Sequence, residues 1–88
     1  AEAMLAAKDM VDSVQDMIEK AGKMQNEQLP ALIDSIRDQI GSEQAEAYKQ
    51  AVMAALQGLS ATLSQTREGL DGSARALTGE QAAPMAMV

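Results

Sequence analysis

The 88-residue chain contains no cysteine, histidine, phenylalanine or tryptophan, and Tyr48 is its only aromatic residue. The absence of cysteine excludes disulfides and thiolate metal sites. The absence of histidine removes the most common general base and the most common metal ligand. Nucleophile motifs, phosphate-binding loops and dinucleotide fingerprints are also missing from the sequence. We therefore expect a protein that is not an enzyme and that holds neither a metal nor a cofactor.

The lack of aromatic residues also limits the core. Aromatic side chains bury the most area per residue, so this core must be built from Leu, Ile, Val, Met and Ala. The chain has seven methionines, and 47% of its residues are hydrophobic. A chain of this length is marginally stable by itself. We expect a helical bundle that a second chain completes.

The chain is acidic, with a net charge of −6, and it has no basic patch. Both a nucleic-acid partner and an anionic membrane surface are disfavoured, because each would need clustered Lys and Arg residues. The longest uncharged run, residues 50–66, is too short and too polar to span a bilayer. We expect no signal peptide in the chain, because its sequence does not match that pattern. Secreted and cytoplasmic locations both stay open.

Hydrophobic residues recur at intervals of three and four along most of the chain, which predicts an all-α protein. We expect a single helical domain over residues 1–78, with helices at about 2–25, 30–40 and 43–78. Residues 79–88, which contain Gly and Pro, are expected to form a flexible tail. We expect either a helical hairpin or a three-helix fold, which would complete a bundle together with another chain.

Two positions interrupt the helical pattern. Proline disfavours helix at the preceding residue and suits the first turn of a new helix, so Pro30 is a predicted turn position. The helix either ends near Gln25 and restarts at Pro30, or continues with a kink. The apolar stripe beyond Pro30 is rotated around the helix relative to the stripe before it, and either alternative explains this rotation. Gly41 is expected in the left-handed conformation that closes a helix, and Ser42 is expected to be the next N-cap.

The candidate interface and core residues are hydrophobic and lie on the predicted helix faces. They are Met4, Val11, Val14, Met17, Ile18, Leu32, Ile36, Ile40, Tyr48, Val52, Leu56, Leu59, Leu63, Leu70 and Leu77. Met10, Met17 and Met24 recur every seven residues beside the first stripe, which widens it. Wide faces are typical of bundle helices rather than of two-stranded coiled coils.

The last predicted helix has a leucine at every seventh position from Leu56 to Leu77. Its second seam consists of Met53, Ser60, Arg67 and Ala74, whereas a two-stranded coiled coil favours β-branched residues there. Glycines interrupt the same helix at Gly58, Gly69 and Gly72. They mark either a close approach between helices or a weak last third of this helix.

The segment from Ile40 to Tyr48 reads Ile-Gly-Ser-Glu-Gln-Ala-Glu-Ala-Tyr. With the size of the chain and its two helical halves, it resembles the WXG100 family of type VII secretion substrates. Gly41 would correspond to the family's turn glycine and Tyr48 to its early aromatic, although Ile40 directly precedes the glycine and no Trp is present. The resemblance implies a secreted protein whose antiparallel helices pair into a homo- or heterodimeric four-helix bundle.

Two other functions remain open. The first is an intracellular docking or adaptor module that joins larger proteins in a complex. The second is an acyl carrier protein, because Asp34-Ser35-Ile36 resembles the Asp-Ser-Leu motif whose serine carries a phosphopantetheine arm. Type III secretion needle subunits share the size and hairpin pattern, but their Pro-x-x-Pro-type turn is absent.

Overall fold

The computed structural model shows an all-α helical hairpin, and it describes residues 2–79. Helix α1 spans Glu2–Lys23, α2 spans Leu29–Gln39 and α3 spans Ser42–Leu77. A π-helical segment at Met24–Gln28, called the π-turn below, joins α1 to α2 without a loop. The first arm of the hairpin is therefore helical from residue 2 to residue 39, and α3 is the second arm. The predicted tail lies outside the described residues, apart from Gly79.

The two arms run antiparallel in a single layer. Near the start of the chain, Met4 and Lys8 lie beside Asp71 and Arg75 of α3, whereas Leu32 lies near the start of α3. The Cα atoms span 57 × 31 × 12 Å. Because the two antiparallel arms form one layer, neither broad side of the hairpin is covered by another element of residues 2–79.

The predicted turn at Pro30 is wrong, because Pro30 is the second residue of α2. Gln28 and Leu29 before it keep right-handed helical dihedrals, and the Leu29 N–H donates to the Met24 carbonyl. Proline is accommodated because the π-turn replaces the regular hydrogen-bond pattern in the residues before it. Of the two alternatives for this region, a break near Gln25 and a continuous helix, the structure shows a continuous helical segment from residue 2 to residue 39.

The π-turn also explains the rotated phase of the second apolar stripe. Val14 and Ala21 are buried seven residues apart, so a regular repeat would next bury position 28. Gln28 is exposed instead, and Leu29 and Ile33 are buried, one position later than the repeat requires. A π-helical turn holds more residues than an α-helical turn. The extra residue keeps both stripes of the arm directed at α3.

The predicted turn at Gly41 is present, but its geometry differs from the expectation. The N–H groups of Ile40 and Gly41 both donate to the Ile36 carbonyl, at 2.8 and 2.9 Å. Gly41 has φ 153° and ψ 159°, a region that only glycine adopts readily but not the expected left-handed helical one. Its carbonyl accepts from the Ala45 N–H at 3.0 Å. Gly41 is therefore the N-cap of α3, and the predicted N-cap Ser42 is the first helical residue.

The core is small and consists of aliphatic residues alone. Its buried members within residues 2–79 are Val11, Val14, Ala21, Leu29, Ile33, Ala45 and Leu56. Four of them, from Leu29 to Leu56, form one cluster near the Gly41 turn, and Met24, Ile36, Val52 and Met53 pack against it. No polar or charged residue in the described part of the chain is buried. The core is thus densest at the closed end of the hairpin.

Candidate protein interface

An apolar groove runs between the two arms on one broad side of the hairpin. Its lining residues are Met24, Gln28, Leu29 and Leu32 from the first arm and Tyr48, Val52 and Leu56 from α3. Leu29 and Leu56 are buried, whereas Leu32 and Tyr48 are 43% and 40% exposed. No Asp, Glu, Lys or Arg lines this groove. Its surface can take up an apolar side chain without the burial of a charge.

Further hydrophobic residues extend this groove towards the open end of the hairpin. Met10 and Met17 precede Met24 at seven-residue intervals, and Leu59 follows Val52 by seven, so each lies along the same line of its helix. Met10, Met17 and Leu59 are 58%, 52% and 42% exposed. The combined surface, called the methionine face below, consists of Met10, Met17, Met24, Leu32, Tyr48, Val52 and Leu59.

The opposite broad side carries charged residues at both ends. One groove there is lined by Gln25, Leu29, Pro30, Ile33, Asp34, Arg37, Lys49 and Met53, and another by Met4, Lys8, Val11, Asp71, Ala74, Arg75 and Thr78. Arg37 pairs with Asp34 and Arg75 with Asp71, each at 2.9 Å. Such exposed pairs contribute little stability, but they keep this charged face hydrated. The apolar groove and these two grooves therefore differ in chemistry, and charged residues also border the apolar groove where Met24 and Gln28 share a cleft with Asp16, Glu19, Lys20 and Lys23.

The predicted interface and core residues fall into three groups. The buried ones are Val11, Val14 and Leu56. The half-buried ones are Ile18, Ile36, Val52, Leu63 and Leu70. The exposed ones are Met4, Met17, Leu32, Ile40, Tyr48, Leu59 and Leu77. Seven of the fifteen predicted residues are thus exposed, and four of these seven, Met17, Leu32, Tyr48 and Leu59, lie on the methionine face.

Four core residues were outside the candidate set. Ala21 and Ala45 are small, and Ala45 is fully buried, which composition alone does not indicate. Leu29 and Ile33 belong to the stripe whose phase the π-turn rotates. The available signal was that rotation, which indicated an irregularity between Ala21 and Leu29 without specifying an extra residue.

Arg67 interrupts the apolar side of α3, as its place in the weaker seam predicted. It is half-buried, and its Nε atom is buried without a hydrogen-bond partner among the described residues. Leu63 and Leu70, each one helical turn away, are half-buried as well. A buried N–H without an acceptor destabilises the folded state. We therefore expect the unpartnered Nε–H of Arg67 to lower the stability of this part of the hairpin.

The residues of the acyl-carrier alternative lie within α2. Ser35 of the acyl-carrier motif is exposed in the interior of α2, and the neighbouring Asp34 carboxylate accepts from Arg37 Nη1. Within residues 2–79, no three carboxylate, histidine or cysteine side chains come together in a way that could hold a metal ion. None of the helices in that same range has the length and apolar character needed to cross a membrane.

No protein-family model matches the chain, and neither curated proteins nor solved structures match it. The chemistry of the two broad faces is therefore the basis for assigning a function.

Proposed function

We propose that the protein acts without catalysis, by packing its helices against those of another protein chain. The observation that supports this proposal is the methionine face. Five of its seven side chains are at least 40% exposed, although all seven are hydrophobic and lie on one side of a single-layer fold. Contiguous apolar surface of this kind marks interaction sites on small proteins.

The composition of the methionine face suits a helical partner. Methionine is unbranched and polarisable, so it adapts to the shape of a neighbouring side chain. Complete burial of a Met or Leu side chain contributes about 1.5–3 kcal/mol, so covering a half-exposed one contributes roughly half of that. Five such residues supply several kcal/mol, which is enough to offset part of the entropy cost of association.

The proposed association is of the WXG100 type, in which hairpins pair as a secreted homo- or heterodimer. Two features support it: Gly41 forms the turn between antiparallel helices, and Tyr48 follows it in the second turn of α3. Tyr48 also lines the apolar groove, where an early aromatic residue of the second helix can contact a partner.

The proposal is tested by site-specific photo-cross-linking in cells of the source organism. A benzophenone amino acid replaces Tyr48 on the methionine face or, as the control, Lys8 on the charged face. We expect an adduct of defined mass from position 48, whose partner chain mass spectrometry identifies, and a much weaker adduct from position 8. Detection of the protein in culture supernatant tests the secreted form. The absence of any adduct at position 48 would overturn the proposal.

A further inference from the structure

We propose that Met10 and Met17 are sites of oxidation to methionine sulfoxide, and that oxidation there prevents the methionine face from binding its partner while the hairpin stays folded. The inference rests on the proposed function and specifies how the same surface is regulated. The oxidant is hydrogen peroxide or another peroxide that transfers one oxygen atom.

The methionines are separated from the buried core. All seven buried residues within residues 2–79 are Val, Ala, Leu or Ile, and none of the five methionines in that range is among them. Met24 and Met53 pack against the core cluster and are half-buried. Peroxide oxidises the sulfur of a thioether, which aliphatic side chains lack. Oxidation of the exposed methionines therefore leaves the residues that join the two arms unchanged.

Methionine is concentrated on one edge of the methionine face. Up to the end of the π-turn, the first arm contributes only Met10, Met17 and Met24 to this face, whereas α2 and α3 contribute no methionine to it. Met10 and Met17 are 58% and 52% exposed, which makes them the two most exposed methionines of the described chain. Oxidation of these two sulfurs changes this edge from apolar to polar.

The reaction needs only the thioether and the peroxide. The sulfur attacks one oxygen of hydrogen peroxide, so that an S–O bond forms, the O–O bond breaks and the second oxygen leaves as water. Sulfur loses two electrons and the peroxide gains them. The sulfoxide oxygen accepts hydrogen bonds, so its burial against an apolar partner costs free energy. Methionine sulfoxide reductases reverse the oxidation, which allows the face to bind again.

Peptide mass spectrometry of the purified full chain, treated with hydrogen peroxide for increasing times, tests the choice of sites. We expect Met10 and Met17 to be oxidised at least about threefold faster than the half-buried Met24 and Met53, because the reaction requires access to the sulfur. Circular dichroism should show that the helices are retained once Met10 and Met17 are oxidised. Equal rates at all four sulfurs, or loss of the helices at this stage, would overturn the inference.

The effect on binding is measured with the purified chain that carries the benzophenone amino acid at position 48. The chain is oxidised, freed of peroxide and irradiated in an extract of the source organism, so that the partner itself is not oxidised. We expect the yield of the adduct identified in cells to fall by about fivefold or more. The double variant Met10→Leu/Met17→Leu keeps both positions apolar at similar volume and should retain its adduct. Met4→Leu, on the charged face, should lose its adduct as the wild type does.

Met17→Gln places a polar side chain on the face without any oxidant, and it should lower the adduct yield as well. An undiminished adduct from the oxidised wild type or from Met17→Gln overturns this inference alone, as does an equal loss in the double variant. If the unoxidised chain gives no adduct in cells or in extract, the proposed function fails, and this inference fails with it.

Discussion

Leu29 donates its backbone N–H to the carbonyl oxygen of Met24, five residues earlier, and so closes a turn wider than that of an α-helix. Pro30 follows immediately and has no N–H of its own to donate. The wider turn shifts every later residue of the first arm by one position around the helix. That shift brings Leu29 and Ile33 into the core beside Leu56.

The first prediction is that the chain tolerates deletion of Asn26 when Pro30 is also replaced by alanine, because a proline inside a regular α-helix would itself cost about 3 kcal/mol. The deletion removes the extra residue of the π-turn, so that Leu29 and Ile33 continue the seven-residue repeat of Val14 and Ala21 in a regular α-helix. Asn26 is exposed, and the arm shortens by only about 1.5 Å. We expect the free energy of unfolding, measured by urea denaturation, to change by less than about 1 kcal/mol.

Deletion of Asp16 is the matched control for this prediction. Asp16 is also exposed, but it lies within α1, where no extra residue is present. Its loss rotates the preceding part of α1 by about 100° relative to the rest of the arm and turns Val11 and Val14 away from α3. We expect a loss of several kcal/mol. If both deletions destabilise the hairpin equally, the role assigned to the π-turn is incorrect.

The second prediction concerns two glycines in α3. A Cβ atom added at Gly58 or at Gly69 meets no atom within 4 Å, so neither glycine is required by a close approach between the arms. Replacing glycine by alanine within a helix reduces the conformational entropy of the unfolded chain. Gly58→Ala and Gly69→Ala should each raise the free energy of unfolding by about 0.5–1 kcal/mol, measured at low micromolar concentration.

Gly41→Ala provides the opposite case in the same assay. Gly41 has φ +153°, and an added Cβ would lie 2.6 Å from Gln44 Oε1. The flexible Gln44 side chain can move, but the backbone conformation is unfavourable for any residue with a Cβ. We expect destabilisation of about 1–3 kcal/mol. A gain in stability from Gly41→Ala would contradict the geometry described for the turn.

The third prediction is that Arg67→Met stabilises the hairpin. The substitution removes the buried Nε–H that lacks a partner and places an adaptable apolar side chain between Leu63 and Leu70. We expect an increase of about 1 kcal/mol in the free energy of unfolding. Arg75→Met is the control, because Arg75 forms only an exposed ion pair with Asp71 and its replacement should change stability by less than about 0.5 kcal/mol. A loss of stability in Arg67→Met alone would show that Arg67 has a stabilising contact.

Local sequence patterns predicted the extent of the helices better than the connections between them. The repeat of Leu56, Leu63 and Leu70 indicated one side of a long helix, and all three residues are buried or half-buried against the first arm. The turn at Gly41 follows from a single residue type with unusual backbone freedom. The predicted turn at Pro30 was wrong, because the residues around a proline that follows a helix end and around one that follows a π-turn look the same in the sequence.

The methionine face could not be predicted from sequence patterns alone. The seven-residue spacing placed Met10, Met17 and Met24 on one line of α1, beside the first apolar stripe. Which line of α3 lies next to them depends on the register of the hairpin, and that register depends on the extra residue in the π-turn. Only with both arms in place do Met24, Tyr48 and Val52 line one groove. The partner of this groove stays a proposal.

The last prediction separates residues that hold the hairpin together from residues that meet a partner. Leu56 is 7% exposed in the core cluster with Leu29 and Ile33, whereas Leu59, less than one turn away, is 42% exposed. Truncation of a buried leucine removes apolar contacts and leaves a cavity, so Leu56→Ala should cost about 2–5 kcal/mol and largely unfold so small a domain at every concentration.

Leu59→Ala is the matched substitution on the methionine face. At low micromolar concentration it should change the midpoint of thermal unfolding only slightly, since little buried surface is lost within one hairpin. The adduct from a photo-cross-linker at position 48 should weaken in Leu59→Ala, because the substitution removes apolar surface from the methionine face. Circular dichroism melts measure the stability of both variants, and the yield of the position-48 adduct measures the contact with the partner. A loss of stability in Leu59→Ala equal to that in Leu56→Ala would place Leu59 in the core of the hairpin instead of at its interface.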